Sequence, residues 1–210
     1  VDVPVDGKGH NEGKHYKVHI VSADGKIDTT FGKCVSKGGK LVIKVDTTHL
    51  SSFIVTDIET CPFGDVPNHW AYEAVKYVYA NSLMQGTDEA TFAPDENMTR
   101  AMLVTVLYRM ANPEEKANNH NFADVPEGQW YSDAVAWASE NGIVNGITST
   151  EFAPDTDISR EQMALIIYRF AKMQGLDVED KADISNFADT DDVSDWALDA
   201  MKWANKTELV

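Results

Sequence analysis

The sequence predicts an α+β chain, in which a small β-rich module precedes tandem repeats made of a helix, a loop and a second helix. Residues 1–60 alternate between apolar and polar positions and carry Gly turns, whereas apolar residues recur at helical spacing from residue 63 onwards. A segment of about sixty residues also recurs along the second region. The charge changes at the same place, because residues 1–60 hold equal numbers of basic and acidic residues and residues 61–210 carry the whole net charge of −16.

The first region contains four stretches with the alternation and β-branched content of strands. In chain order they are "KHYKVHIV", "KIDTTFGKCV", "LVIKV" and "SSFIV", and the first three are separated by the turn sequences "ADGK" and "SKGGK". They predict a small β-meander or a partial β-sandwich over residues 1–60. Because so short a meander has a thin core and exposed edges, we expect it to be the end of a larger β domain.

The second region contains three copies of one unit. The stretch "FGDVPNHWAYEAVKYVYANSLMQG" at 63–86 aligns with "FADVPEGQWYSDAVAWASENGIVNG" at 122–146, and a third copy begins at Phe187 with "FADTDDVSDWALDAMKWANKTELV". We expect repeats at residues 61–119, 120–180 and 181–210. The third is incomplete, because Val210 is level with Val144 of the second copy.

Each complete unit has a readable local structure. The first helix carries a Trp near its start, and a Gly with positive φ ends it. The tryptophans are Trp70, Trp130 and Trp196, and the glycines are Gly86 and Gly146. The loop that follows has a buried Phe at position 92 or 152 and then a Pro that prevents helix formation.

Thr99 and Ser159 are predicted to cap the second helix of their units. Ser159 and Gln162 have the spacing of a capping box. The buried stripes of these helices are predicted to comprise Leu103, Val106, Leu107 and Met110 in one unit and Met163, Ile166, Ile167 and Phe170 in the other.

The four arginines of the chain occupy matched repeat positions sixty residues apart, as Arg100 with Arg160 and Arg109 with Arg169. A guanidinium offers a planar fork for a carboxylate. Arg100 and Arg160 follow the helix caps, where a cation opposes the helix dipole beside free N–H groups, and a bound anion would remove this conflict. The alternative is that they pair with acids of the chain, such as Asp95 or Asp155. For Arg109 and Arg169 we favour a structural role.

These motifs resemble the S-layer homology domain family. The resemblance rests on "FGDVPNHWA", "QGTDEATFAPD" and "MTRAM" in the first copy, on "FADVPEGQWY", "NGITSTEFAPD" and "ISREQ" in the second, and on "FADTDDVSDWA" in the third. It implies a pseudo-threefold helical bundle that attaches exported bacterial proteins to secondary cell-wall polysaccharide or another peptidoglycan-linked glycan, often one with a pyruvylated end. The implied location is extracellular, in the cell wall or S-layer.

The resemblance also implies roles for particular residues. Arg100 and Arg160 would bind the pyruvyl carboxylate, while Trp70, Trp130 and Trp196 would offer apolar faces to sugar rings. Asp65, Asp124, Gly86 and Gly146 would shape the groove and accept hydroxyl hydrogen bonds. The chain departs from the family where Met102 and Gln162 replace the Glu that usually follows the motif Arg. Apolar surface on the incomplete third repeat is expected to promote self-association.

Other classes of function are less well supported. An acidic surface repels nucleic acid. We expect no membrane span or export signal, because no stretch of eighteen apolar residues and no apolar leader is present in the sequence. We also expect no enzyme activity or cofactor, because the sequence has no HExxH, GxSxG or phosphate-loop motif. The acids at 155–157 and 189–192 form no EF-hand, so we expect no metal site. Cys34 and Cys61 could pair or remain separate thiols. The alternative functions are a surface-lattice protein acting through protein contacts, with or without calcium, and the anchoring fragment of a larger surface enzyme.

Overall fold

A computed structural model describes residues 1–5, 12, 15–22, 26–45, 52–57, 61–115, 117 and 120–209. The chain divides into two compact units, Val1–Pro94 and Asp95–Val210. Within the described ranges, the first unit holds a five-stranded sheet and one helix, and the second holds four helices. The predicted α+β class is therefore confirmed, and the pseudo-threefold arrangement of the repeats stays a prediction.

The sheet contains the four predicted strands and a fifth that the sequence did not predict. Its strands are β1 (Asp2–Pro4), β2 (His15–Val21), β3 (Ile27–Lys37), β4 (Lys40–Lys44) and β5 (Ser52–Asp57). The additional strand is β1, which has three residues and pairs with β4. So short a segment, ending in a proline, has no alternation from which a strand could be predicted. The predicted turn "ADGK" lies mostly outside the described residues.

The order of the strands corrects the predicted four-stranded meander. All neighbours are antiparallel, in the order β1-β4-β3-β2-β5. The meander therefore comprises β2, β3 and β4, and β5 returns to pair with β2 on the far side, which is a Greek key arrangement. The N-terminal strand β1 occupies the edge of β4 that a fourth meander strand would have used.

The predicted turn between β3 and β4 is present, with Gly38 and Gly39 both at positive φ (59° and 76°), as a two-residue hairpin with a primed turn requires. Cys34 lies in the core of the sheet with no exposed surface, and Cys61 is half-buried near the start of the first repeat. Both thiols are free, so the pairing that the sequence left open is not formed. Burial raises the pKa of the Cys34 thiol.

The helices follow the predicted pattern of two per complete repeat. They are α1 (Tyr72–Ala80), α2 (Arg100–Ala111), α3 (Ser132–Glu140), α4 (Arg160–Met173) and α5 (Leu198–Lys206). A short 3-10 turn, Thr190–Asp192, precedes α5. Each motif Trp lies two residues before its helix, in the preceding turn, rather than within the first helical turn.

The first helix of each repeat ends earlier than predicted. In α3, Gly142 has φ 66°, its N–H donates to the Ser139 carbonyl, and the Ile143 N–H donates to the Ala138 carbonyl. This is a Schellman stop. Gly86 and Gly146 therefore do not end the helices, and Gly146 does not have positive φ.

The second helices begin as predicted, because Thr99 and Ser159 each accept a hydrogen bond from the N–H three residues later. Two details are corrected. The Gln162 side chain accepts from Arg100 instead of completing a capping box with Ser159. The buried stripe of α2 includes Val104, and Met110 is exposed.

Candidate functional site

Both complete repeats hold their Phe-Ala-Pro loop with one carboxylate. Asp124 accepts hydrogen bonds from the N–H groups of Phe152 (2.8 Å) and Ala153 (2.7 Å). Asp65 accepts from the corresponding N–H groups of the first repeat. Burial raises the pKa of Asp124, but the hydrogen bonds from the backbone N–H groups of Phe152, Ala153 and Asp124 itself, together with the charge of Arg100, outweigh burial, so the pKa lies below its ordinary value. Asp65 and Asp124 thus hold the loops of their repeats, and their predicted contacts with glycan hydroxyls stay a prediction.

These carboxylates hold a strained backbone. Ala93 and Ala153 both have φ 59°, in the left-handed region that residues other than Gly rarely adopt, and each precedes a proline. The conformation turns two successive N–H groups towards one carboxylate. It also directs the Phe152 ring into the core, where the side chain is completely buried against Phe122.

The start of α2 is joined to the loop of the second repeat by backbone hydrogen bonds. The Arg100 N–H donates to the Thr156 carbonyl and the Ala101 N–H donates to the Pro154 carbonyl, both at 3.0 Å. Thr99 and Asp157 form a bridge between the two loops. The first N–H groups of α2 are therefore occupied, which corrects the expectation that they are free to bind an anion.

The Arg100 side chain also joins the start of α2 to the loop of the second repeat. It is only 4% exposed, its Nε donates to the Phe152 carbonyl at 2.9 Å, and its Nη2 donates to the Asn145 carbonyl at 3.1 Å. Its guanidinium lies over the Phe152 ring, 4.7 Å from the ring centroid. Burial lowers the pKa of Arg100, while the charge of Asp124 acts in the opposite direction. Among the described residues no carboxylate forms a salt bridge with Arg100.

Arg160 occupies the matching position on α4 but has none of these contacts. It is exposed, and its guanidinium has no hydrogen-bond or ion-pair partner in the described part of the chain. The counterpart of the Phe152 carbonyl would follow Phe187 by about thirty residues, which is beyond position 210. Residues Glu161, Asp189 and Asp192 line the cavity beside Arg160.

A cavity of about 400 Å³ lies where α2 begins, beside α4 and the turn before α5. Its lining consists of Arg100, Asn145, Gly146, Ile147, Gln162, Leu165, Ile166, Arg169 and Trp196. Three of the predicted site residues meet here, namely Arg100, Gly146 and Trp196. The lining contains two guanidinium groups and no carboxylate, although the protein is strongly acidic.

Arg169, for which the sequence favoured a structural role, also lines this cavity. It is half-buried, and burial alone lowers its pKa. No hydrogen bond or ion pair of its side chain is present among the residues that the structure describes. Its repeat position matches Arg109. Nine residues, or 2.5 helical turns, separate Arg169 from Arg160, so the two side chains lie on different faces of α4.

The other predicted site residues lie outside this cavity's lining. Trp70 is 90% exposed in the first unit, and Trp130 is about half exposed in the second. Gly86, at φ 80°, lies against the Phe63 ring. Gly146, which does line the cavity, is tightly enclosed, because a Cβ there would lie 2.3 Å from the carbonyl oxygens of Thr148 and Glu151.

A metal site receives no support from the described ranges, in which no group of three or more His, Cys, Asp or Glu side chains could hold an ion. Nor does any helix within those ranges have the length and apolar content needed to cross a membrane.

Tandem helix-loop-helix units, each closed by a carboxylate on a Phe-Ala-Pro loop, define a helical repeat protein. Residues 62–101 and 121–164 match the S-layer homology domain family, and the chain carries S-layer homology domains at these positions. The resemblance of the motifs is thus confirmed for the two complete repeats.

Relatives of two kinds are similar to this chain. The amylopullulanase of Thermoanaerobacterium thermosulfurigenes is 26% identical over 186 residues, which is 89% of this chain and 9% of that protein. The surface-layer 125 kDa protein of Lysinibacillus sphaericus is 34% identical over 61% of this chain and 10% of its own length. The S-layer protein sap of Bacillus anthracis is 32% identical over 53% of this chain and 14% of its own length.

The chain thus spans about a tenth of the length of these relatives. The S-layer homology domains and the surface proteins among the relatives indicate a location at the bacterial cell surface or cell wall, and they support a role in surface anchoring.

Proposed function

We propose that this protein is a non-catalytic module that attaches an exported bacterial protein to the cell surface by binding an anionic cell-wall glycan. The cavity bounded by Arg100, Arg169 and Trp196 is the proposed site. The observation that carries the proposal is the composition of its lining, in which two guanidinium groups and a half-exposed indole occur without a carboxylate.

Each lining residue has a separate role in this proposal. Arg169 forms the ion pair with the glycan anion, because its guanidinium has no partner in the described protein and burial already disfavours its charged form. A bound carboxylate would offset that cost through a two-pronged hydrogen bond. Arg100 uses three N–H groups inside the protein and has two left to donate.

The apolar and polar groups around these arginines suit a sugar. Trp196 is 51% exposed, and its indole offers a platform for the apolar side of a pyranose ring. The Gln162 amide and the Gly146 backbone provide hydrogen-bonding groups for hydroxyls. A terminal sugar with a pyruvyl ketal would present a carboxylate next to its ring, which makes a pyruvylated secondary cell-wall polysaccharide the preferred glycan.

Local charge explains how an acidic protein could bind an acidic glycan. Attraction within the cavity acts over a few ångströms, whereas exposed acids farther away than about 10 Å are largely screened in 0.1 M salt. Arg160, which the resemblance paired with Arg100 in this role, is not part of the proposed site because three acids share its cavity.

The proposal can be tested by binding to purified cell-wall sacculi. Arg169→Gln and Trp196→Ala should each weaken binding of the full chain at least ten-fold. Arg160→Gln removes the same charge from an exposed position outside the cavity and should leave binding unchanged, so it is the matched control. Arg100→Ala is unsuitable, because Arg100 also holds the fold together.

A second arm uses sacculi from which pyruvate has been removed by mild acid. Loss of binding on these walls would support the pyruvyl carboxylate as the anion. Equal binding of all three variants to untreated walls would refute the cavity as the glycan site.

The names of the relatives favour a second candidate function, in which the repeats contact other protein copies in a surface lattice or anchor a larger surface enzyme. Self-association through the incomplete third repeat would contribute to a lattice. Sedimentation of the chain with and without calcium tests it, since a lattice function requires oligomers and simple attachment does not.

A further inference from the structure

The dipeptide Asn-Gly occurs twice in this sequence, at 141–142 and 145–146. Asparagine loses its side-chain nitrogen most readily before glycine, because no Cβ hinders the approach of the glycine nitrogen to the side-chain carbonyl. We propose that Asn145 is a modification site, at which spontaneous deamidation places a carboxylate in the proposed glycan cavity and ends anion binding there. The modification stands by itself, whereas its effect on wall attachment rests on the proposed function.

The reaction needs only the chain and water. The backbone nitrogen of Gly146 attacks the side-chain carbonyl carbon of Asn145, so that a C–N bond forms. The amide nitrogen leaves as ammonia, with the proton that the Gly146 nitrogen gives up. Water then opens the cyclic imide at one of its two carbonyl carbons, which yields an aspartyl or an isoaspartyl residue. In both products a carboxyl group, ionised at neutral pH, has replaced the neutral amide.

The reacting groups at Asn145 are not held by hydrogen bonds. Asn145 is exposed, and its side-chain amide has no hydrogen-bond partner among the described residues. The Gly146 N–H likewise meets no acceptor in the described ranges, although the next two residues, Ile147 and Thr148, both donate to the Glu151 carbonyl. The side chain can therefore turn towards the nitrogen without breaking a hydrogen bond. Crowding around the Gly146 Cα restrains the backbone, so we expect the reaction to be slower than in an unfolded chain.

Arg100 promotes the attack by Gly146. Its Nη2 donates to the Asn145 carbonyl at 3.1 Å, and this carbonyl belongs to the same peptide group as the Gly146 N–H. When the nitrogen loses its proton, negative charge moves onto that carbonyl oxygen. A hydrogen bond from a buried guanidinium stabilises this anion more than it stabilises the neutral amide. The Gly146 nitrogen therefore gives up its proton more readily than an ordinary peptide nitrogen.

The other Asn-Gly dipeptide is restrained at the corresponding groups. The Asn141 Nδ2 donates to the Trp137 carbonyl at 2.8 Å, and the Gly142 N–H donates to the Ser139 carbonyl at 3.1 Å. Cyclisation there requires both hydrogen bonds to break and the end of α3 to open. The same dipeptide thus occurs in a protected and an unprotected setting within one repeat, and Asn145 is the expected site of reaction.

A carboxylate at position 145 would take the place of the glycan anion. Asn145 lines the glycan cavity together with Arg100 and Arg169, and its backbone carbonyl already contacts the Arg100 guanidinium. Because the new carboxylate belongs to the same chain, it is present at a high effective concentration, and a glycan carboxylate would have to displace it. The isoaspartyl product also lengthens the backbone by a methylene group beside the carbonyl that Arg100 holds. Both products therefore weaken anion binding.

The first experiment detects the modification itself. The full chain is incubated in mildly alkaline buffer, which promotes loss of the amide proton, and is then digested for peptide mapping by mass spectrometry. Conversion at Asn145 should be at least ten-fold faster than at Asn141 in the folded chain, because two hydrogen bonds protect Asn141. In urea the two rates should become similar. Equal rates in the folded chain would overturn the proposal.

The second experiment measures the effect on the glycan cavity. Asn145→Asp should bind cell-wall sacculi at least ten-fold more weakly than the fresh chain. Asn141→Asp adds the same charge outside the cavity and should bind as the fresh chain does. Incubation should weaken binding by the unaltered chain but cause no further change in Asn145→Gln, whose longer side chain does not close the imide ring readily. Undiminished binding by Asn145→Asp would overturn the proposed effect.

A third measurement does not require the glycan. The pKa of the carboxyl group introduced by Asn145→Asp, followed by NMR, should rise when Arg169→Gln is added, because a guanidinium lining the same cavity is removed. An unchanged pKa would overturn the placement of this carboxyl group in the cavity. If Arg169→Gln retains wall binding, the proposed glycan site fails while the mapped modification stands. If Arg169→Gln loses binding and Asn145→Asp retains it, the effect of deamidation fails alone.

Discussion

Replacing Arg100 by Ala should destabilise the second compact unit far more than the same change at Arg160. The two positions match in the repeat and in chemistry, and each variant removes one positive charge from the same acidic chain. They differ in their contacts, since Arg100 is 4% exposed and bonded to two main-chain carbonyls, whereas Arg160 is exposed and has no partner in the described chain.

The expected loss follows from these contacts. A hydrogen bond to a charged group contributes about 1.5–3 kcal/mol, and a cation over an aromatic ring adds about 0.5–2 kcal/mol. Two such bonds and the Phe152 contact, partly offset by water entering the site, predict a loss of about 3–5 kcal/mol. At Arg160 the change should stay within about 0.5 kcal/mol.

Urea unfolding, followed by tryptophan emission, measures the loss of stability in both variants. With a slope of about 2 kcal/mol/M, Arg100→Ala should lower the midpoint by about 2 M, and Arg160→Ala should leave it almost unchanged. Arg100→Lys should fall between them, because the charge is kept and the fork is lost. Equal shifts for the two Ala variants would show that Arg100 does not join the repeats.

Three further predictions concern other contacts. Asp124→Asn should destabilise the chain at pH 7 by about 1–2 kcal/mol through the lost charged hydrogen bonds. Since the folded pKa of Asp124 is lowered, its contribution is present above the ordinary value near 4 and disappears as the pH falls through the folded pKa, so the variant should lose less stability on acidification in urea titrations. Gly146→Ala should lower the thermal midpoint, with a cost of about 1–3 kcal/mol, because its Cβ would lie 2.3 Å from two carbonyl oxygens. The comparison is Gly64→Ala, because φ is not positive there and the nearest atom, the Ala90 carbonyl oxygen, would lie 3.9 Å from the Cβ. In the native protein, iodoacetamide should alkylate Cys61 well before Cys34, as mass spectrometry would show, because the Cys34 thiol is fully buried and its pKa is raised; simultaneous labelling would contradict the packing of the sheet.

The repeats were predictable because local signals repeat with them. Thr99 and Ser159 cap helices as expected, since capping depends only on a side chain and an N–H three residues away. The site was less predictable, because its contacts link residues about fifty positions apart. Arg100 reaches carbonyls at 145 and 152, and backbone carbonyls leave no trace in the sequence.

The predicted order of the strands was wrong for a similar reason. The return of β5 to pair with β2 depends on which sheet edge is vacant, and β1 closes the edge of β4 with three residues that show no strand pattern. The ends of α1 and α3 were predicted too late, at Gly86 and Gly146. The residues with the positive φ that ends each helix are Ser82 and Gly142.

The boundary between the compact units, after Pro94, lies inside the first repeat, so the compact units of the fold do not coincide with the repeats of the sequence. The second helix of one repeat is completed by the loop of the next. Gain or loss of a whole repeat by gene duplication or deletion must therefore create or break a set of contacts like those of Arg100. A change in the number of copies thus changes the stability of such an array as well as its length.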